Sequence, residues 1–248
     1  MTMHYFTRIL LLTASLLAAT PALSAGRDFE QCRQFFPNGT PPVILHQEEL
    51  KPRALCFSGF AVLHSGKSHT PVYVAERLTK QALLASQDIP RSNLFFEEAR
   101  LPQAERSQLD DYRGSEFDRG HMVPAGDMGT LESKDQSFSL ANTIPQNPEN
   151  NRNAWRKIEA DTRKYAMRAS GDVYVITGPV FDGIPPAIGA NRVWVPQHLF
   201  KLVYDPSKNK AWAHWLENTD QARVGKPISY AELVRRTGIE FLPGYNGD

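Results

Sequence analysis

Asp118-Arg119-Gly120-His121 places a carboxylate, a guanidinium, a glycine and an imidazole within four residues. An imidazole titrates near neutrality and so takes a proton from water, while a guanidinium presents a planar fork of donors to an anion. Together they suit acid–base chemistry on an anionic substrate. Downstream stands Asn142-Thr143-Ile144-Pro145-Gln146, and then the polar run Asn147 to Asn153 opens a helix carrying Trp155 and Glu159. The sequence has seven histidines, and only His121 sits in such a setting.

The helix reads from its periodicity. Trp155, Ile158, Thr162, Tyr165 and Ala166 recur at three- and four-residue spacing, which predicts an apolar stripe packed on a sheet. Asn151, Trp155 and Glu159 are successive i, i+4 neighbours and are expected on one face. At 1.5 Å per residue Glu159 lies about 12 Å beyond Asn151 along the axis, too far for both to grip one ion directly. Taken alone, Asn150 or Asn151 reads as a helix N-cap.

The ordered set Asp118-Arg119-Gly120-His121, Asn142, then Asn151, Trp155 and Glu159 resembles the DNA/RNA non-specific endonucleases, which carry a ββα-metal site. Further segments resemble the same family: Pro71-Val72-Tyr73-Val74-Ala75, Ile176-Thr177-Gly178-Pro179-Val180-Phe181 and Val195-Pro196-Gln197-His198-Leu199-Phe200-Lys201, so the likeness spans most of residues 52–242. The resemblance implies that His121 activates water and that Arg119 neutralises phosphate charge. It implies that Asn151 binds a metal ion directly, that Glu159 holds the ion through water, and that Asn142 assists the histidine, the metal environment or substrate positioning. Arg91 stands where the family has an arginine on the scissile phosphate; otherwise it reads as a solvated loop residue. Asparagine oxygen plus waters suits Mg²⁺, with Mn²⁺ able to substitute. Asp118 is expected to orient Arg119 or cap local backbone, and Gly120 to serve close packing or a positive φ. Trp155 is expected in the core.

Composition bounds the frame for this site. The 248 residues are 41% hydrophobic and 22% charged, ordinary for a soluble domain with a sizeable core. Arg8, the apolar run Ile9 to Ala19 and the small residues Ala22, Ser24 and Ala25 read as a signal peptide over residues 1–25, with residues 26–248 as one domain. The apolar run is too short for a comfortable span, so no stable membrane insertion is expected after cleavage. Export to the periplasm or the medium follows. Removing those residues takes away Arg8 alone, one of 28 basic residues, and leaves 27 against 27 acidic. A neutral chain lacks the global basic charge of many nucleic-acid binders, so any hold on phosphate must come from local clustering. Cys32 and Cys56 are the two cysteines. Export predicts a disulfide between them, the alternative being two buried thiols.

Leu55 to His64 and Pro71 to Leu78 read as an antiparallel pair, Thr79 to Ser86 as a short helix, and Asp172 to Phe181, Arg192 to Asp205 and Lys210 to Glu217 as strands. Ser229-Tyr230-Ala231-Glu232 reads as a capping box for a helix through Arg236, stopped by Gly238. The expected class is α+β, a central antiparallel sheet flanked by helices. The expected function is a metal-dependent endonuclease that cuts DNA and RNA with little base preference, because phosphate and metal contacts carry no sequence information. No motif names an inhibitor protein. The competing reading is an exported nucleic-acid-binding module with a degenerate site, and the intact His121, Asn151 and Glu159 argue against it.

Overall fold

Runs of β-branched and aromatic residues form the strands, and polar breaks set their ends. The structure is a computed structural model that describes Met1, residues 28–44 and residues 48–247. The signal peptide read over residues 1–25 therefore lies, Met1 apart, outside the described residues. An N-terminal arm carries β1 (Val43–Ile44) and leads into a meander of β2 (Pro52–Cys56), β3 (Phe60–Ser65) and β4 (Thr70–Leu78). Next come α1 (Lys80–Asp88), β5 (Asp118–His121), α2 (Leu131–Gln136), β6 (Thr143–Gln146) and α3 (Arg156–Arg168). The C-terminal half holds β7 (Val173–Val180), β8 (Ala187–Ile188), β9 (Val193–Trp194), β10 (His198–Asp205), β11 (Lys210–Glu217), β12 (Ile228–Ser229), α4 (Tyr230–Thr237) and β13 (Ile239–Glu240).

Seven strands join in the order β12-β11-β10-β7-β4-β3-β2, and every neighbouring pair is antiparallel. With helices packed against this sheet, the α+β expectation holds. Two strand readings change. Leu55 to His64 is broken at Phe57–Gly59, where the chain turns from β2 to β3, so the expected pair is a three-stranded meander. Arg192 to Asp205 splits into β9 and β10, because Pro196 has no N–H to give to a ladder. Thr79 caps α1 by accepting from the Ala82 N–H. Ser229 likewise caps α4 and Gly238 ends it at φ 67°, but Glu232 turns to Arg235 and Arg236 instead of completing a capping box.

Alternation along the strands assigns each residue to a face. Leu63, Tyr73, Ala75, Ile176, Phe200 and Leu202 look toward the N-terminal arm and α4, and form an apolar core with Phe29, Phe36, Leu233 and Phe241. Cys32 of the arm is bonded to Cys56 of β2, as expected from export chemistry. The opposite face packs Val62, Val74 and Leu199 against Met122, Ile144, Trp155 and Ile158. On that face also sit the buried Glu76, Thr177 and Lys201.

The β5–β6 hairpin lies on this second face, with His121 opposite Thr143 and Gly120 opposite Ile144. Gly120 has no positive φ. A Cβ there would collide with the side chain of Gln146, so close packing is what requires glycine. Gln146 uses that space to donate from Nε2 to Asn150 Oδ1 at 2.9 Å, and Asn150 Nδ2 in turn donates to the Glu217 carbonyl. These bonds pin the start of the helix to the hairpin and to the sheet. The helix begins as a π-turn, Asn150–Trp155, before continuing as α3.

Candidate active site

Hairpin, π-turn and α3 enclose a cleft of about 460 Å³. Asp118, Arg119 and His121 enter it from the hairpin, and Arg91 and Phe95 from the loop after α1. Asn151, Arg152, Arg156, Glu159 and Arg163 enter it from the π-turn and α3. Thus Arg91, Arg119, His121, Asn151 and Glu159, separated in sequence, line one cleft. Asn142 does not line it. Its amide is fully buried, donates to the carbonyls of Val123 at 2.9 Å and Ser137 at 2.8 Å, and accepts from the Val123 N–H at 3.0 Å. Asn142 therefore holds the chain just after His121, a positional role without a free group to offer a substrate.

The helix geometry corrects the one-face expectation. Asn151 and Glu159 face the cleft, whereas Trp155 between them is wholly buried in the core. In a regular α-helix eight residues overshoot two turns by about 80°. The wider π-turn advances less per residue and removes part of that offset, so Asn151 and Glu159 share the cleft although an α-helix would splay them.

Two rings hold the histidine. The His121 ring centroid lies 5.1 Å from Phe95 and 5.0 Å from Phe138, the latter edge-on. Each phenylalanine also supports a guanidinium: Arg119 lies 4.5 Å over Phe95 and Arg91 lies 5.1 Å over Phe138. Burial, then the Arg91 and Arg119 charges, push the His121 pKa down to about 3. The imidazole is consequently neutral at physiological pH, the form that accepts a proton. Sequence reasoning missed both rings, since nothing in the separate loops at Phe95 and Phe138 announces a shared partner.

Asp118 pairs with Arg152, not Arg119. Its carboxylate accepts from Arg152 Nε at 2.9 Å and from Arg152 Nη2 at 2.6 Å, and also from Asn151 Nδ2 at 2.9 Å. That last bond engages the amide nitrogen of Asn151 and leaves its Oδ1 as the free atom. The Glu159 carboxyl makes no hydrogen bond among the described residues, and burial raises it to about 7 against the opposing charge of Lys201. A free amide oxygen and a carboxylate in one cleft are hard donors, which fit a hard divalent cation that keeps several waters. No cluster of three or more His, Cys, Asp or Glu residues suited to a metal occurs among the described residues.

Behind the cleft lies a buried charged group. Arg163 bonds Asp127 at 2.7 Å, and the almost wholly buried Lys201 donates to Thr177 Oγ1 at 2.8 Å with its ammonium 5.5 Å over the Trp155 ring. Burial, with the negative charge of Asp127, raises the Glu76 carboxyl well above its usual value. A signal existed for one of these: Lys201 is a lone basic residue inside the apolar run Leu199 to Val203. The arginines were legible too, since Arg152, Arg156 and Arg163 fall on one helical stripe with Glu159.

The profile of the DNA/RNA non-specific endonucleases matches residues 46–248. Nuclease C1 of Cunninghamella echinulata var. echinulata is 32% identical over 197 residues, covering 75% of this chain and 74% of that protein. Mitochondrial nuclease EXOG of Danio rerio is 32% identical over 204 residues, 73% of this chain and 59% of that protein. Mitochondrial endonuclease G of Bos taurus is 33% identical over 199 residues, 75% of this chain and 62% of that protein. The chain thus spans about six-tenths of the two mitochondrial relatives. A chain from the crystal structure of the EndoG/EndoGI complex superposes with a TM-score of 0.72 at 27% identity, covering 78% of this chain and 86% of that one. With the profile matched over residues 46–248 and a relative 32% identical over three-quarters of both chains, the chain belongs to the DNA/RNA non-specific endonuclease family.

Proposed function

We propose that this protein hydrolyses internal phosphodiester bonds of DNA and RNA, with Mg²⁺ as cofactor, Mn²⁺ as a substitute, and little preference for base. The observation that carries this reading is the neutral, ring-clamped His121 beside Arg119 and Arg91 in the cleft that also holds Asn151 and Glu159. His121 accepts a proton from water as the water oxygen bonds to phosphorus. The bond from phosphorus to the 3′ oxygen breaks, its electron pair stays on that oxygen, and a proton from solvent water converts it to the 3′-hydroxyl, leaving a 5′-phosphate on the other fragment. Arg119 and Arg91 lie against the phosphate and neutralise the charge that grows on it. Asn151 Oδ1, oriented by Asp118, and Glu159 would hold the cation, Asn151 directly and Glu159 through water. A cation so held supplies stabilisation of negative charge at the departing oxygen. Asn142 keeps the turn after His121 in register.

The location proposed is the periplasm or the medium. Support comes from Arg8, the apolar run and the small residues up to Ala25, together with a disulfide of the kind that persists in oxidising compartments. An N-terminal sequence of the exported protein should begin near Ala25. Residues 26–248 are proposed to act as one nuclease domain. An inhibitor protein would be a further partner, in keeping with a structural neighbour solved in an inhibition complex.

The test is digestion of supercoiled plasmid and of single-stranded RNA with Mg²⁺, with EDTA, and with His121→Ala. Cleavage of both, lost with EDTA and with the variant, is expected. Binding without cleavage under every condition would replace the enzyme with a binding module.

A further inference from the structure

The five arginines of the cleft are not equivalent. Arg152 is neutralised by Asp118 at 2.6 Å and Arg163 by Asp127 at 2.7 Å. Arg91 leans on Phe138 and bonds the neutral Asn93, and Arg119 lies over Phe95. Arg156 is exposed, lines the same cleft, and its guanidinium has no hydrogen-bond or ion-pair partner among the described residues. It stands one helical turn beyond Arg152 on the stripe that also holds Glu159 and Arg163. Arg91 and Arg119 are close enough to depress His121, whereas Arg156 has no part in that shift.

A carboxylate-free guanidinium held apart from the histidine, inside a cleft that takes a polyanion, has one obvious ligand class. We propose that Arg156 forms a subsite for a phosphodiester flanking the scissile one, so that α3 guides the strand and the enzyme favours polynucleotides over single phosphodiesters. The proposal rests on the nuclease reading above. An uncompensated guanidinium contributes most when it meets phosphate, because no internal ion pair has to be broken first. Arg152 and Arg163, by contrast, keep their carboxylates and shape the cleft. This division also explains how a chain with balanced charge holds a polyanion: three guanidiniums without a carboxylate partner, Arg91, Arg119 and Arg156, gather in one cleft.

The experiment compares wild type, Arg156→Gln, Arg156→Lys and, as a control for net charge, Arg168→Gln at the far end of α3 outside the cleft lining. Binding of a fluorescein-labelled single-stranded oligonucleotide is read by anisotropy in EDTA across a salt series, and hydrolysis of bis(4-nitrophenyl) phosphate is read with Mg²⁺. Arg156→Gln should weaken oligonucleotide binding about tenfold. It should also lower the slope of log K against log salt by about 0.7, the value of one single-strand phosphate contact. Hydrolysis of the nitrophenyl ester should stay at the wild-type rate, which also shows that the variant is folded. Arg156→Lys should restore the slope. An unchanged slope in Arg156→Gln overturns the subsite, as does an equal change in Arg168→Gln. A matching loss on the nitrophenyl ester would instead put Arg156 at the scissile phosphate and overturn it too. If wild type hydrolyses neither DNA nor the ester, the nuclease reading fails while the binding arm still decides the subsite.

Discussion

The two faces of the central sheet use the same strands for opposite purposes. Toward the arm and α4, the buried alternate residues Leu63, Tyr73, Ala75, Ile176, Phe200 and Leu202 are apolar, with Phe200 5.0 Å from Phe241 and the arm stapled by Cys32 to Cys56. Toward the hairpin and α3, the alternate residues include Glu76, Thr177 and Lys201, all buried. Burying charge costs several kcal/mol per ion even when it is paired, whereas burying phenylalanine is favourable. One face therefore holds the fold, and the other uses part of that stability to keep Arg163, Glu159 and His121 in place.

The sharpest way to break this contrast is to damage each face in turn. Phe241→Ala should lose about 3 to 5 kcal/mol of stability, as expected for emptying a large buried site, while the folded fraction keeps wild-type kcat/KM. His121→Ala should lose 100-fold or more in kcat/KM on DNA, as for removal of a general base, with Tm close to wild type. Thermal unfolding and steady-state kinetics on both variants check the pair. A His121→Ala protein as unstable as Phe241→Ala would show that the division between faces is wrong.

The staple gives the next largest effect. Replacing Cys32 and Cys56 by serine opens a loop with a sequence separation of 24. On chain-entropy grounds that costs about 3 to 4 kcal/mol. Denaturant unfolding should record the loss, and kcat/KM of the folded variant should be unaltered because the bond lies on the face away from the cleft.

The apolar face was the easier one to read. Strand alternation, the short helix from Thr79, the Ser229 cap and the cysteine pair are local signals, and each led to an element that the structure contains. The site was legible in its motif residues but not in its supports. Asp118 sits next to Arg119 in sequence yet pairs with Arg152 and Asn151, which the π-turn brings to it from a distant segment. Asn151 and Glu159 were placed on one face with Trp155 by α-helical spacing, and a π-turn, invisible to periodicity, separated the tryptophan from them. Phe95 and Phe138 meet His121 through contacts between distant segments, which no local pattern encodes.

A pH series sharpens the comparison on the charged face. Burial raises Glu159 to about 7, and the group must be charged to hold a cation. Apparent Mg²⁺ affinity should therefore fall about tenfold for each pH unit below 7 and level off above it. His121 does not interfere, being neutral down to about pH 3. The sign for stability is the reverse. The folded pKa of Glu159 is above the usual carboxyl value, so the native state binds more protons and stability without metal declines as pH rises through about 4.3 to 7. The Mg²⁺ midpoint for activation at pH 5.5, 6.5, 7.5 and 8.5 measures the first effect. Glu159→Gln should give a midpoint that no longer moves with pH, and a wild-type midpoint flat across the series would remove Glu159 from the metal site.

The smallest effect expected comes from the ring that touches both His121 and Arg119. Phe95 supports Arg119 at 4.5 Å and His121 at 5.1 Å while meeting Phe138 edge-on at 5.1 Å. Phe95→Leu keeps apolar bulk but removes the π face, so it should free Arg119 and leave the core nearly intact. A cation–π contact in a partly desolvated site is worth about 1 to 2 kcal/mol, which corresponds to roughly a fivefold to thirtyfold effect, and a loss near the lower end is expected because the leucine still fills the space. The loss should fall mainly on kcat if Arg119 acts, as proposed, on charge that develops during reaction. Opening the clamp should also let water reach His121 and move its pKa up toward the ordinary value, so that an acid limb enters the pH profile of Phe95→Leu where wild type has none from this group. Phe95→Tyr retains the ring and should recover most of the rate. Kinetics of the two variants from pH 5 to 8, with Tm measured alongside, separate this role from plain packing: equal losses in Tyr and Leu, or losses that track Tm, would reduce Phe95 to a filler of space.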